Sequence, residues 1–152
     1  LFRSKKEHER VKSHIAELKE KLKGINGYVA TGSAYSHGLI QVLRELGINV
    51  NGSLVFHHDP VYDSGDERED SLGHLLKNYG NVENFHISNR QQYQLYAFLQ
   101  KVHPDFMLIR HNGLAPLASR LGIPAAPLGD EHIAMGTRNN QPWRNDIGYL
   151  ST

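Results

Sequence analysis

The chain has 152 residues, no cysteine, and 17 Lys and Arg against 16 Asp and Glu, a formal net charge of +1. That length suits one domain able to bury its own core, so neither disulfides nor a structural metal is required for folding. Balanced charge supplies no field for nucleic acid or an acidic membrane, and the missing thiols exclude a disulfide framework, a thiol nucleophile and thiolate ligands to zinc or an iron–sulfur cluster.

In chain order, residues 2–23 are good helix formers without Gly or Pro, and Val11, Ile15, Leu18 and Leu22 recur at helical spacing. This predicts one amphipathic helix over residues 1–23, with Arg3, Lys5, Lys6, Arg10 and Lys12 forming a solvated, projecting face. Gly24 ends it. Five short apolar segments follow, YVA, INVNGSLVF, NFHIS, DFMLIR and IPAAPL, separated by helical patterns over residues 36–46, 70–79, 89–102 and 114–121. Strand and helix alternate, which predicts a three-layer, doubly wound α/β domain over residues 24–138, with a parallel sheet of four or five strands and right-handed crossovers. NFHIS is the weakest of the strand segments. Residues 139–152 read as a polar tail. No apolar run approaches the about 20 residues that span a bilayer, and FRSKKEHERVK is no signal peptide. A soluble cytoplasmic protein is expected, with no nucleic acid and no membrane among its partners.

Ligands of an open parallel sheet bind beyond the carboxyl ends of its strands. Here that rule selects the loops TGSAYSHG, HHDP, HNG and GDEH. The first, containing Gly32, Ser33, Tyr35, His37 and Gly38, lacks the three-glycine dinucleotide fingerprint, and no acid ends the second strand to hold a ribose. It reads either as an anion- or cluster-facing turn or as a plain turn before a helix. His57 and His58 are adjacent on a chain expected to be extended, so at most one faces a pocket. His58 is a candidate metal ligand, with a solvated strand-end histidine as the plainer reading. His111 ends the fourth strand in the same way. Asp130, Glu131 and His132 form the densest cluster, able to bind a divalent metal, to act as acid and base, or simply to form a polar loop. No HExxH spacing accompanies them.

Taken in order, GYVATGSAYSHGLIQVLRELGINVNGSLVFHHDPVYD and KVHPDFMLIRHNGLAPLASRLGIPAAPLGDEH resemble the last of the three α/β domains of the nitrogenase component 1-type oxidoreductases. The resemblance is closest to the α-type subunit of the molybdenum-iron protein. It implies that Gly32, Ser33 and Tyr35 line a cofactor-facing turn, Tyr35 standing where the molybdenum-iron protein has an arginine. His37, His111, Gly129, Asp130 and Glu131 are implied as further cofactor contacts, and His132 as a metal ligand. Counting from Gly122, Ile123 and Pro124, the family's cofactor histidine falls at Gly129, and the nearest histidine is His132. Either the loop is rearranged so that His132 takes a ligand role, or the protein does not hold a molybdenum cofactor in that manner; because such a displacement moves a side chain by roughly 10 Å on an extended chain, the favoured expectation is the second, a nitrogenase-like branch with another metallocofactor or an organic substrate.

The resemblance further implies a longer parent chain with an iron–sulfur cluster and a metallocofactor, a homologous partner subunit, and an ATP-dependent iron–sulfur reductase as electron donor. None of those cofactors is bound by cysteine here, and Leu1 in place of Met reads as the start of an excised piece. The isolated domain is expected to be inactive, and its first helix to be an interdomain element. Two rival expectations share the fold: a scaffold subunit that assembles metalloclusters, and a stand-alone flavodoxin-like module binding a small molecule or metal.

Overall fold

The computed structural model of the protein describes residues 2–66, 68, 70–88, 93–110 and 112–128. Helix α1 (Phe2–Leu22) leads into strand β1 (Asn26–Gly32), and then α2 (Ser33–Glu45), β2 (Asn49–Phe56), α3 (Ser71–Tyr79) and β3 (Phe85–Ile87). Helix α4 (Gln94–Val102), β4 (Phe106–Ile109), a single 3-10 turn (Asn112–Leu114), α5 (Ala115–Ser119) and β5 (Ala125–Pro127) complete the described fold. The five strands form one sheet in the order β3-β2-β1-β4-β5, every pair parallel. The architecture is thus the expected three-layer α/β domain. NFHIS supplies an edge strand, which explains its weak pattern: an edge position has only one neighbour to satisfy.

Strand β1 sits at the centre, paired with β2 on one side and β4 on the other. Its residues alternate between two cores, as a strand's side chains must. Tyr28 and Ala30 join Leu54, Phe56, Leu95, Leu99, Met107 and Ile109 beneath α4 and α5. Val29 joins Ile40, Leu43, Val50 and Leu75 beneath α2 and α3. Burial on both faces is why the central strands read as continuous apolar runs instead of alternating ones.

A β-bulge lies near the start of the β1–β2 pair. Gly27 pairs with Val50 and Tyr28 with Gly52, so Asn51 is the extra residue. Tyr28 is fully buried and lies across Gly52. A Cβ at Gly52 would stand 2.5 Å from the Tyr28 ring, so this position admits no side chain as packed.

Along α1 the predicted stripe of Val11, Ile15, Leu18 and Leu22 is the half-buried face, and no residue of it is fully buried. Leu22 reaches the core beneath α2, and the Lys19 main chain lies beside Gly47. No helix among the described residues is long and apolar enough to cross a membrane.

Candidate functional site

Crossovers from β1 and β4 leave the sheet on opposite faces, since α2 and α3 cover the Val29 side and α4 and α5 the Tyr28 side. Between neighbouring strands whose connections diverge in this way, a crevice opens at the carboxyl ends. One rim is the β1–α2 junction. The other is Arg110, whose backbone N–H donates to the Ala30 carbonyl at 3.2 Å, one residue beyond the β4 ladder. The two rims touch: the Arg110 guanidinium carbon lies 4.1 Å from the centre of the Tyr35 ring. Tyr35 keeps 43% of its surface exposed, and Arg110 is half-buried.

The junction is tighter than the sequence implies. Helix α2 starts at Ser33, directly after β1, instead of at residue 36. Gly32 is the N-cap with extended backbone and no side-chain cap, and no acidic residue occupies the first turn. Packing of the following turn sets this start. Ser36 and His37 are fully buried, Ser36 Oγ lies 3.2 Å from Ser53 Oγ, and Ser53 Oγ donates to the Val29 carbonyl at 3.1 Å. Ser33 Oγ donates to the His57 carbonyl at 3.3 Å, tying α2 to the end of β2. Gly32, Ser33 and Tyr35 are therefore brought together at the crevice.

His37 is not. With no exposed surface, its imidazole Nδ1 sits 2.9 Å from Ser71 Oγ at the start of α3, and its Nε2 has no hydrogen-bond partner among the described residues. Burial holds this imidazole below the ordinary histidine range, and the His58 ring acts the same way. The Asp63 and Asp70 carboxylates pull in the opposite direction and are outweighed. This histidine serves the α2–α3 contact and presents nothing to the crevice.

The extended conformation expected for His57 and His58 is not found either. His57 takes φ 57°, a left-handed turn that ends β2. It stays exposed, while His58 turns inward. His58 Nδ1 lies 3.4 Å from Asp63 Oδ2, an ion-pair distance longer than an aligned hydrogen bond, with the two side chains 13% and 10% exposed. Asp63 Oδ2 also accepts the Asp59 N–H at 3.1 Å. Asp70 caps α3. Desolvation alone would raise its carboxyl, but the N–H of Gly73, the hydroxyl of Ser64 and the N–H of Gly65 hold it at about 2.

His111, Gly129, Asp130, Glu131 and His132 lie outside the described residues, as do the boundary expected at residue 138 and the tail 139–152. The described chain reaches Leu128, whose N–H donates to the Ile109 carbonyl at 2.6 Å. Among the described residues no group of three or more His, Cys, Asp or Glu side chains is arranged to hold a metal ion. The described wall carries the Arg110 guanidinium stacked on the Tyr35 ring beside the first turn of α2, which is no metal-ligand set. Arg110 was absent from the sequence-derived candidates. Its signal was there, a charged residue closing the apolar strand DFMLIR.

The family model for nitrogenase component 1 type oxidoreductases matches residues 3–149. This chain belongs to that family. Among solved structures, the component 1-type chain is similar to nitrogenase Cp1 at pH 6.5, with TM-score 0.54 and 14% identity over 81% of this chain. It is likewise similar to nitrogenase Cp1 at pH 5, with TM-score 0.55 and 17% identity over 81% of this chain. At such identities the likeness speaks to the fold. This chain spans 32% of the first of those chains and 29% of the second. No curated protein sequence matches it. Membership of the family implies metal clusters, and with no cysteine in the sequence none can be held through a thiolate of this chain.

Proposed function

We propose that this chain is the C-terminal α/β domain of a nitrogenase-like component 1 oxidoreductase and forms one wall of a metallocofactor or substrate pocket at the β1–β4 crevice. The observation that carries the reading is the meeting of Tyr35 and Arg110 at that crevice, in a chain matched almost end to end by the component 1 family. Gly32, Ser33 and Tyr35 line the wall. Gly129, Asp130, Glu131 and His132 follow β5 in the chain and supply polar contacts, with His132 as the metal ligand, and His111 follows Arg110. His58, engaged by Asp63, anchors its own loop. Any bound metallocofactor would supply the redox chemistry, and the residues named here would orient it and shape access to it. Electrons would come from an ATP-dependent iron–sulfur reductase, and a homologous subunit would complete the assembly.

The test is anaerobic purification of the intact protein, with assay of iron and acid-labile sulfide and of reoxidation by candidate substrates in the presence of reductase and ATP. Bound iron with ATP-dependent turnover is expected. Absence of iron in the intact protein, together with tight small-molecule binding by a natural 17.2 kDa chain, would sink the reading in favour of a stand-alone module. Clusters that pass to an acceptor protein without turnover would assign the scaffold role instead.

A further inference from the structure

Val61 and Tyr62 are the two most exposed large apolar side chains among the described residues, at 78% and 77%. They are neighbours in the loop between β2 and α3, and the aspartates of that loop build it. The Asp59 carbonyl accepts the N–H groups of Tyr62 at 3.0 Å and Asp63 at 2.7 Å, and the Asp59 side chain accepts the Val61 N–H at 2.9 Å. Asp63 returns the contact, its carboxylate accepting the Asp59 N–H at 3.1 Å. Further along, Asp70 accepts from Ser64 Oγ at 2.8 Å and from the Gly65 N–H at 2.9 Å. A turn fixed in this way holds both apolar side chains outside the two cores. Its ordering cost is already met by the fold, so a contact made through it loses little further entropy.

The charge around the pair is one-sided. Residues 57–70 include six carboxylates, Asp59, Asp63, Asp66, Glu67, Glu69 and Asp70, against the single guanidinium of Arg68, in a chain of formal net charge +1. Arg68 Nε lies 3.6 Å from Asp66 Oδ1, so that cation is turned to its own loop. Backbone N–H donors satisfy the aspartate oxygens and leave their negative charge in place. Such a field repels a phosphate backbone or an anionic lipid surface and draws in a basic protein surface.

We propose that the Val61–Tyr62 turn is a docking element for a separate protein chain whose surface offers an apolar slot rimmed by lysine and arginine. Two apolar side chains in an acidic setting make a small contact. Small, charged contacts belong to reversible encounters, whereas permanent interfaces are larger and more apolar. Tyr62 supplies the anchor, a large side chain of few torsions, and the carboxylates supply the steering field. This surface lies beyond the pocket reading and does not depend on it.

The test places the photoreactive p-benzoylphenylalanine at Tyr62 of the intact protein in its source cells and identifies the cross-linked peptide by mass spectrometry. The expected product joins this position to a peptide of another protein in which Lys or Arg flanks apolar residues. That protein is then purified and its association with the intact protein followed by stopped flow. Association should slow by roughly 10-fold from low to high salt. It should slow several-fold in the double variant Glu67→Gln, Glu69→Gln, which leaves Asp59, Asp63 and Asp70 in place. Tyr62→Ala should weaken affinity by on the order of 10-fold, Tyr62→Phe should restore most of it, and both should unfold at the wild-type urea midpoint. Cross-links confined to the protein's own sequence, to nucleic acid or to lipid, or no cross-link at all, would overturn the proposal. So would association indifferent to salt and to the glutamate variant, or a fall in the Tyr62→Ala midpoint, which would make the residue structural.

Discussion

Of the described glycines, Gly52 leaves the least room for a side chain, because the Tyr28 ring lies across it, and the consequence is local. A methyl group at Gly52 meets the ring edge at 2.5 Å, and the ring, fully buried among Leu95, Leu99 and Met107, has nowhere to move. Gly52→Ala should therefore destabilise by about 1–3 kcal/mol, a typical figure for overpacking, read as a lower denaturation midpoint at unchanged m-value. His37 gives a pH signature. Its folded pKa is lowered and the unfolded chain titrates near about 6.5, so between these values the unfolded state binds more protons and stability falls as pH falls. The loss should begin near about pH 6.5 and level off once the medium is more acidic than the folded pKa. Urea midpoints at pH 7.5 and below about 6 should separate more for wild type than for His37→Asn, which keeps a partner for Ser71 without a titrating ring. Equal separation would mean that this imidazole takes no part.

At the scale of elements, α3 is held by its first residues. Asp70 accepts from Gly73 N–H at 2.7 Å, from Ser64 Oγ at 2.8 Å and from Gly65 N–H at 2.9 Å, joining the helix start to the loop before it. Asp70→Ala should cost about 0.5–2 kcal/mol, as loss of an N-cap does, and Asp70→Asn less. Because the carboxyl is held at about 2, below its ordinary value near 4, its contribution is present above that ordinary value and is lost as pH falls towards the folded one. The gap between wild type and Asp70→Ala should accordingly narrow in strong acid. Residue 70 was legible as the beginning of this helix because Asp before an apolar-periodic stretch is a helix-start signal. The start of α2 was not. Gly32 and Ser33 read locally as a turn, and only the burial of Ser36 against Ser53, a residue on another strand, fixes the helix three residues earlier.

For the whole molecule, several large apolar side chains that follow the carboxyl ends of strands are left exposed: Tyr35, Val61, Tyr62, Ile87 and Tyr93. Tyr35 lies in the first turn of α2, Val61 and Tyr62 in the loop between β2 and α3, Ile87 at the end of β3 and Tyr93 just before α4. The alternation of apolar segments and helical patterns was enough to specify a parallel, doubly wound sheet and the loops at its carboxyl edge, because both follow from local periodicity and chain direction. Family resemblance lay in the order of short motifs, which is also a property of the sequence alone. What only the tertiary structure decided is which side chains meet. Arg110 over Tyr35, His37 on Ser71 and Tyr28 across Gly52 join residues distant in the chain. Their meeting depends on strand order, register and a single bulge, and in a parallel sheet these are set by packing between segments that no local pattern records.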